Sequence, residues 1–365
     1  MSAAGISPNV SYQLVSNDRI LHGLQPGAGG GAWLGTPWMP YLTNAPVQGR
    51  PGVLTFLTTT VGGTNKIVLL PSQDGHVYCL NAETGGLLWV SPLLGDSIQA
   101  APSGIYADFG GAYNLVLVGS RTPTGDSKFY ALDVSNGTVA WSFDNGGGAS
   151  GIGVISATAQ VDILNRRVYF TSRRKGGGSQ DTVWALSFTA TTVTKLWSAD
   201  IGDVDGAPVL RSGKIYVGNN AGEVRVLNAL SGAPVWATPY ATGDGVVKGL
   251  VWVDAATSRL YFSTNGKVHA VTDTGASGVA FWSTPVSVPN PSPVMLIGGR
   301  VYVGGGASKL YSIDATSATP AAPTTVTVGD PLVPKVVGSL AFDTRNGLFV
   351  VGTDLGVFYA VSGPF

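Results

Sequence analysis

A segment of alternating residues, followed by a turn and a tryptophan, recurs along the chain and constrains its fold more than any other feature. Its clearest copy is DGHVYCLNAETGGLLW, residues 74–89. The residues from Val77 to Leu80 alternate between two faces, which predicts a strand. Residues 82–85 predict a tight turn, since Gly85 can adopt a positive φ at little steric cost. A lone hairpin is not stable in water, so the recurrence predicts a larger assembly of sheets.

Six further copies of this segment follow. Four of them end in a tryptophan and span residues 128–141, 182–197, 223–236 and 267–282. A sixth copy at 309–326 has no tryptophan, and a seventh at 357–365 contains only the first strand. Each copy is preceded by a further pair of predicted strands, so that one unit has four strands and a period of about 40–55 residues.

Four-stranded units at this period predict an all-β fold, a seven-bladed β-propeller. The last unit lacks an outer strand, and residues 10–16 are expected to supply it, because an open ring would leave two free edges. Residues 17–50, rich in glycine and proline, are expected to form a long loop, and a degenerate eighth blade is the alternative. The chain, 1–365, is predicted to be a single domain with its repeats at 51–365.

The repeat carries a leucine, an Asp or Asn, a later glycine and a tryptophan, most clearly at residues 79–89, 131–141 and 226–236. This pattern resembles the repeat of the pyrroloquinoline-quinone-like (PQQ-like) propeller family, whose architecture is WD40-like. In that family the tryptophan of each blade packs on its neighbour, and a tryptophan can bury up to ~250 Å². The resemblance therefore implies a structural docking role for Trp89, Trp141, Trp197, Trp236 and Trp282.

The composition argues against a nucleic-acid-binding protein and against a membrane-spanning protein. Basic and acidic residues are equal in number, 21 each, so no net charge attracts nucleic acid or a charged membrane. No segment reaches the ~20 apolar residues of a membrane span. The first 20 residues lack the basic and apolar regions of a signal peptide. The low charge and high glycine content are nevertheless typical of exported bacterial proteins, and we expect an extracellular or periplasmic location.

A Gly-Asp pair recurs where one predicted unit passes to the next. The carboxylates belong to Asp96, Asp203, Asp244 and Asp330. Around the mouth of a propeller channel they would suit a cation or a basic partner. Alternatively, each accepts hydrogen bonds within its own turn. Residues 200–206 partly resemble a calcium loop but lack the distant Glu of an EF-hand, so they predict no calcium site.

A basic run at a predicted hairpin tip contains Arg173, Arg174 and Lys175. It is a candidate contact for an anion or a partner, and a solvated turn is the alternative. The run has no interleaved aromatic residues, which argues against nucleic-acid binding.

The resemblance also raises the question of a quinone cofactor, because quinone-dependent dehydrogenases share the repeat. Those enzymes are longer chains with adjacent cysteines and a calcium site, whereas this chain has the single cysteine Cys79. The sequence predicts no catalytic, cofactor-binding or metal-binding residues and no cofactor, neither PQQ nor calcium. It favours a non-catalytic exported scaffold that presents propeller loops to a protein or a surface glycan. The alternatives are a PQQ-dependent dehydrogenase-like enzyme, and a propeller module of a larger extracellular adhesin or cytochrome-associated protein.

Overall fold

The computed structural model consists of strands and turns, with one short 3-10 helix at Gly148–Ser150 in the part of the chain that it describes. The described residues are 3–7, 10–14, 20–24, 41–47, 52–55, 60–105, 113–176, 179–344, 346–355 and 357–365. Contacts divide them into two compact units. We call the described residues up to Asp205 the N-terminal unit, and those from Gly206 to Phe365 the C-terminal unit.

The N-terminal unit contains four antiparallel sheets of four strands each, in chain order. Sheet 1 consists of β1 (Ala3–Ser7), β2 (Val10–Leu14), β3 (Ile20–Leu24) and β4 (Tyr41–Leu42). Sheet 2 consists of β5 (Gly52–Thr55), β6 (Lys66–Pro71), β7 (Val77–Asn81) and β8 (Leu87–Val90). Sheet 3 consists of β9 (Ser103–Ile105), β10 (Leu115–Gly119), β11 (Phe129–Asp133) and β12 (Val139–Phe143). Sheet 4 consists of β13 (Gln160–Asp162), β14 (Arg167–Thr171), β15 (Val183–Phe188) and β16 (Val193–Ala199).

The C-terminal unit contains four further antiparallel sheets. Sheet 5 consists of β17 (Val209–Arg211), β18 (Lys214–Gly218), β19 (Glu223–Asn228) and β20 (Tyr240–Ala241). Sheet 6 consists of β21 (Lys248–Asp254), β22 (Arg259–Ser263), β23 (Lys267–Asp273), β24 (Gly278–Ala280) and β25 (Val286–Ser287). Sheet 7 consists of β26 (Met295–Ile297), β27 (Arg300–Gly305), β28 (Lys309–Asp314) and β29 (Thr324–Thr327). Sheet 8 consists of β30 (Val337–Asp343), β31 (Leu348–Thr353) and β32 (Phe358–Ser362).

The second strands of sheets 2 to 8 are mostly buried. All residues of β10 (LVLVG) and of β31 (LFVVGT) are buried, which explains their continuous apolar runs, since both faces of such a strand are covered. In the fourth strand β12 only Trp141 is buried, and its neighbours are partly or fully exposed. The hydrophobic cores lie between consecutive sheets, for example between sheets 2 and 3 and between sheets 7 and 8.

The prediction of an all-β propeller built from four-stranded blades is confirmed. Seven of the sheets formed by the described residues have at least four strands, and sheet 8 has three. The prediction that residues 10–16 complete the last blade is wrong, because β2 pairs with β1 and β3 in sheet 1. Parts of the segment 17–50, for which a long loop or a degenerate blade was predicted, also belong to this sheet, as β3 and β4. Residues 15 and 16 lie outside the described part of the chain.

Tryptophans on the fourth strands connect one sheet to the next. The indole Nε1 of Trp89 in sheet 2 donates a hydrogen bond to the backbone oxygen of Val134, 2.8 Å away beside sheet 3. Trp141 in sheet 3 donates in the same way to Thr189 of the next hairpin, at 3.2 Å. Trp197 is likewise buried. An indole therefore supplies apolar area and also satisfies one polar group of the neighbouring sheet.

Trp236 meets a side chain instead of a backbone oxygen. Its Nε1 donates to a carboxylate oxygen of Asp273 at 2.9 Å. That carboxylate also accepts hydrogen bonds from Lys214 Nζ and Tyr216 Oη, each at 2.7 Å, and from the N–H of Gly275 at 2.8 Å. Burial by itself would raise the pKa of Asp273, but the hydrogen bonds outweigh it and lower the pKa to about 2. Asp273 thus stays ionised and fixes sheet 5 against sheet 6.

Trp282 differs, because its buried Nε1 has no hydrogen-bond partner among the described residues. The corresponding backbone oxygen in sheet 7 is that of Ala315, the residue after β28. It already accepts hydrogen bonds from Tyr261 Oη at 2.9 Å and from Arg259 at 3.2 Å. The indole of Trp282 is therefore held by packing alone.

These two tryptophans form a matched pair for a stability test. We expect Trp236→Phe to lower the free energy of unfolding by about 1–2 kcal/mol more than Trp282→Phe, because only the first removes a hydrogen bond to a buried carboxylate. Urea denaturation of both variants measures the difference. Equal losses would contradict the role given to Asp273.

Candidate functional site

The loop between the second and third strands of a sheet lies at the same end as the link that leaves its fourth strand, since the strands are antiparallel. In sheet 4 these segments are the loop after β14, which contains the predicted basic run, and the link after β16, which contains Asp200, Asp203 and Asp205. The structure brings the two segments together as a cluster of ion pairs.

Two arginines join the loop to the link. Arg173 contacts both carboxylate oxygens of Asp205, with Nε to Oδ1 at 2.7 Å and Nη2 to Oδ2 at 2.5 Å. Arg174 contacts both oxygens of Asp200, with its Nη2 at 2.7 Å from each. The backbone N–H of Arg174 donates to Asp203 Oδ1 at 2.7 Å. Paired contacts of this kind fix geometry as well as charge.

The third cation extends the cluster to sheet 3. Lys175 Nζ forms an ion pair with Asp126, in the loop after β10, and donates to the backbone oxygen of Gly148 at 2.9 Å. The hydrogen bonds from Lys175 and from the N–H of Gly148 hold the pKa of Asp126 below its ordinary value. We call Asp126, Arg173, Arg174, Lys175, Asp200, Asp203 and Asp205 the ion-pair cluster. Its cations face carboxylates of the same chain and remain partly exposed. Contact of this basic run with an anion or a partner stays a prediction, as does the alternative of a solvated turn.

A polar cleft of about 290 Å³ lies beside the ion-pair cluster. Its lining consists of Asn145, Ala149, Ser150, Gly151, Ser179, Gln180, Asp181, Trp184 and Asp200. Several of these groups already have partners within the chain, including Asp181, which accepts a hydrogen bond from Ser198 at 2.6 Å. Trp184, buried beneath the cleft, donates to Ser172 Oγ at 3.0 Å. The cleft offers hydroxyl, amide and carboxylate groups at the loop end of sheets 3 and 4.

Asp244 follows β20 and takes part in a different arrangement. Its Oδ1 lies 2.7 Å from Lys267 Nζ and its Oδ2 lies 3.2 Å from Nε2 of His269. The ring of His269 is buried, stacks on Phe262 with centroids 5.2 Å apart, and leaves Nδ1 without a partner among the described residues. Burial lowers the pKa of His269 to about 4, and the nearby charge of Asp244 only partly opposes this effect. The imidazole is therefore neutral at physiological pH, with its proton on Nε2.

The other two predicted carboxylates are exposed. Asp330 accepts the N–H of Leu332 in its own turn at 2.9 Å, as the alternative interpretation of the Gly-Asp links predicts. Asp96 is exposed on the link after β8. In the described part of the chain, no three His, Cys, Asp or Glu side chains are grouped so that they could hold a metal ion. Binding of a cation or a basic partner by these four carboxylates stays a prediction.

Sequence reasoning missed an apolar feature at the loop end of sheets 7 and 8. Leu332 and Val333 in the link after β29 are 87% and 48% exposed, and Leu355 and Val357 in the loop after β31 are 53% and 43% exposed. Two hydrogen bonds between Val336 and Asp354, at 2.8 and 3.1 Å, hold the two segments together. We call Leu332, Val333, Leu355 and Val357 the aliphatic loop pair. The sequence DPLVP at residues 330–334 could have indicated this exposed apolar feature, because two aliphatic residues lie between prolines in a predicted link.

The described residues include no helix long and apolar enough to cross a membrane.

The buried histidine leads to a pH prediction. Between about pH 4 and 6.5 the unfolded chain binds a proton at His269 that the folded chain excludes. The free energy of unfolding should therefore fall as the pH drops through this window, by roughly 2–4 kcal/mol from this residue. His269→Gln, which cannot be protonated, should remove that part of the pH dependence in urea denaturation from pH 4 to 7. If the free energy of unfolding depended on pH in the same way in both proteins, the prediction would be refuted.

The ion-pair cluster leads to a prediction about hydrogen exchange in the link after β16. Arg174→Met should speed amide hydrogen exchange in residues 199–205, because the link loses its contacts to the loop after β14. Arg225→Met is the matched control, since Arg225 pairs with Glu223 only two residues away on the same strand, at 2.9 Å. That variant should leave exchange in both segments unchanged. Equal acceleration by both variants, or by neither, would argue against a tethering role.

Comparison with known proteins agrees with this architecture. A family model described as "Outer membrane protein assembly factor BamB" matches residues 19–257 and 220–321. Two curated relatives match shorter parts. The beta-alanine-activating enzyme of Danio rerio is 30% identical over 148 residues, 40% of this chain and 11% of that protein. The serine/threonine-protein kinase AfsK of Streptomyces griseus is 29% identical over 159 residues, 39% of this chain and 18% of that protein. The chain therefore matches less than a fifth of the length of either relative.

Solved structures resemble this chain over nearly its whole length. BamB from Moraxella catarrhalis superposes with a TM-score of 0.66 and 15% identity, covering 100% of this chain and 94% of that one. The computationally designed Ika8 protein gives 0.65 and 16%, covering 99% and 95%. The C-terminal WD40 domain of Sif2 gives 0.70 and 10%, covering 100% and 96%. These likenesses show the fold. Because the family model covers well over half of the residues, the chain belongs to the PQQ-like repeat propeller family described as outer membrane protein assembly factor BamB.

Proposed function

We propose that this chain is a protein-interaction scaffold that binds its partner through loops at one end of its sheets. The observation that carries this proposal is the aliphatic loop pair. Its four exposed side chains come from two segments that are hydrogen-bonded to each other, which distinguishes them from singly scattered surface residues. Contiguous apolar patches rimmed by polar residues are typical of protein-interaction sites.

The family supports the same class of function. Its description names an assembly factor, and a factor that assembles other proteins acts by binding them. That description also refers to the outer membrane, so we place this chain in the periplasm or outside the cell. The low charge of the sequence agrees with such a location.

A specific observation favours glycan binding as a second candidate function. The polar cleft beside the ion-pair cluster combines carboxylates, amides and the hydroxyls of Ser150 and Ser179 above a buried indole. Sugar hydroxyl groups pair with such donors and acceptors. Isothermal titration with a panel of monosaccharides, against Gln180→Ala, tests this candidate.

The experiment for the scaffold is site-specific photo-crosslinking in the native host. A benzophenone amino acid replaces Leu332 in one protein and Leu164 in another. Leu164 is the matched control, because it is 86% exposed but lies on the loop between β13 and β14, at the opposite end of its sheet from the loop after β14. We expect a discrete protein adduct from position 332 and none from position 164.

Competition establishes specificity. Excess unlabelled wild-type protein should suppress the adduct, and the Leu332→Ser/Leu355→Ser double variant should not. Equal labelling at both positions, or no adduct at position 332, would refute the proposal.

A further inference from the structure

The polar cleft beside the ion-pair cluster has one side that is rich in hydrogen-bond acceptors. The link after β12 forms this side and passes through four consecutive residues with positive φ, 145–148, of which the last three are glycines. The backbone oxygens that follow accept side-chain donors. Ala149 accepts from Gln180 Nε2 at 2.5 Å, and Ser150 accepts from Asn145 Nδ2 at 2.7 Å. This side of the cleft therefore presents oxygen atoms to nitrogen donors.

Two lysines of the chain already use acceptors of the same link. Lys195 Nζ donates to Asn145 Oδ1 at 2.8 Å. Lys175 Nζ donates to the backbone oxygen of Gly148 at 2.9 Å. Hydrogen bonds with one ionised partner are about twice as strong as those between neutral groups. The link after β12 is therefore a segment that binds ammonium groups within the chain itself.

The two carboxylates that line the cleft differ in their partners. Asp200 forms an ion pair with Arg174, which balances its charge. Asp181 accepts a hydrogen bond at Oδ2 from the neutral hydroxyl of Ser198, at 2.6 Å, and forms no ion pair with a described lysine or arginine. Residues 177 and 178, which lie outside the described part of the chain, are glycines and carry no charged side chain. Asp181 therefore brings a negative charge to the cleft that no ion pair balances within the described chain.

Few polar side-chain atoms of the cleft remain for a ligand. The amides of Asn145 and Gln180 have partners within the chain at both their oxygen and their nitrogen atoms. Among the described lining residues, the structure gives no partner within the chain to Asp181 Oδ1 or to the hydroxyls of Ser150 and Ser179. A primary ammonium group has three donors and no acceptor, so it can pair with all three. The several hydroxyl groups of a sugar ring would need more partners than these.

We propose that the polar cleft binds the ammonium group of a lysine side chain from a partner protein, with Asp181 as its counter-ion. Small-molecule sites usually have volumes of ~300–1,000 Å³. The cleft, at about 290 Å³, therefore has room for one side chain rather than for a longer ligand. This inference rests on the proposed scaffold function and names one residue type that the partner presents.

The test is an NMR titration of the full, isotope-labelled chain, read at the indole N–H of Trp184 and at the backbone amide of Gln180. The probe is Nα-acetyl-lysine methylamide, which carries one ammonium group. We expect saturable shifts at both positions, and titration to about 50 mM detects dissociation constants in the millimolar range. The matched probe is the same compound acetylated at Nε, which has no charge and should shift neither position. Equal shifts from the two probes would overturn the inference, as would absence of shifts.

A substitution in the cleft tests the counter-ion. Asp181→Asn should weaken binding of the lysine probe about tenfold or more, because an amide does not balance the charge of an ammonium group. Asp133→Asn is the matched control. Asp133 also accepts from a serine hydroxyl, that of Ser135 at 2.6 Å, but it ends β11 at the opposite end of sheet 3 from the cleft.

The control variant should bind the lysine probe as the wild type does. Equal weakening by both variants, or by neither, would argue against Asp181 as the counter-ion. If Asp181→Asn fails to fold, the two probes decide the question with the wild-type protein.

Two sugars test the other class of occupant. Glucose presents hydroxyl groups alone, and glucosamine presents an ammonium group on a sugar ring. We expect no shift from glucose and weaker binding of glucosamine than of the lysine probe, since the ring hydroxyls would lack partners. Binding of glucose, or tighter binding of glucosamine than of the lysine probe, would assign the cleft to a glycan and overturn the inference.

The two proposals fail separately. A photo-adduct at position 332 without shifts from the lysine probe would leave the scaffold function intact and refute the lysine site. Shifts from the lysine probe without an adduct at position 332 would do the opposite.

Discussion

The face of each sheet is closed by the sheet beside it within its unit, and the other features of the fold depend on this contact. A strand such as β10 can be apolar throughout only because neighbouring sheets cover both of its faces. The repeat tryptophans strengthen the contact where they reach a hydrogen-bond acceptor, as Trp89 does at Val134 and Trp236 does at Asp273. The contact needs few charges, which agrees with a chain in which only 12% of the residues are charged.

Because neighbouring sheets cover the faces of the strands, the side chains that can contact other molecules lie mainly in the loops at the strand ends. Loops at corresponding positions in different sheets carry different kinds of side chain on the same backbone plan. The loop after β14 is basic and is neutralised by Asp200 and Asp205. The corresponding loop after β31 exposes Leu355 and Val357. Ion pairs of the first kind are part of the fold, whereas exposed aliphatic groups of the second kind lower their free energy only by contact with another molecule.

The sequence allowed the strands and their grouping to be predicted, because the period of the repeat and the position of each tryptophan follow from burial. It did not allow the partner of β2 to be predicted. Val10, Tyr12 and Leu14 alternate with polar residues, a pattern that predicts a strand but not its neighbour. Backbone hydrogen bonds do not depend on the identity of the side chains, so a segment of this kind can complete either of two sheets. The ion-pair cluster was missed for a related reason. Arg173 was a candidate, but Asp205 was not, because residues 200–206 predicted no site. The contact between the two residues joins a loop to a link 32 residues away in the sequence, and the repeat pattern does not give the distance between them.

The core between sheets 7 and 8 does not depend on the fourth strand of sheet 7. In sheet 7 the fourth strand β29 has no buried residue, so its contribution is mainly backbone hydrogen bonds. The core between sheets 7 and 8 is built mainly from the first three strands of these sheets, with Tyr302 and Phe349 at its centre and Phe365 packed against both. The fourth strand of sheet 7 therefore adds backbone hydrogen bonds at the side of the sheet, whereas the aromatic and aliphatic side chains of the strands before it make the contact between the two sheets.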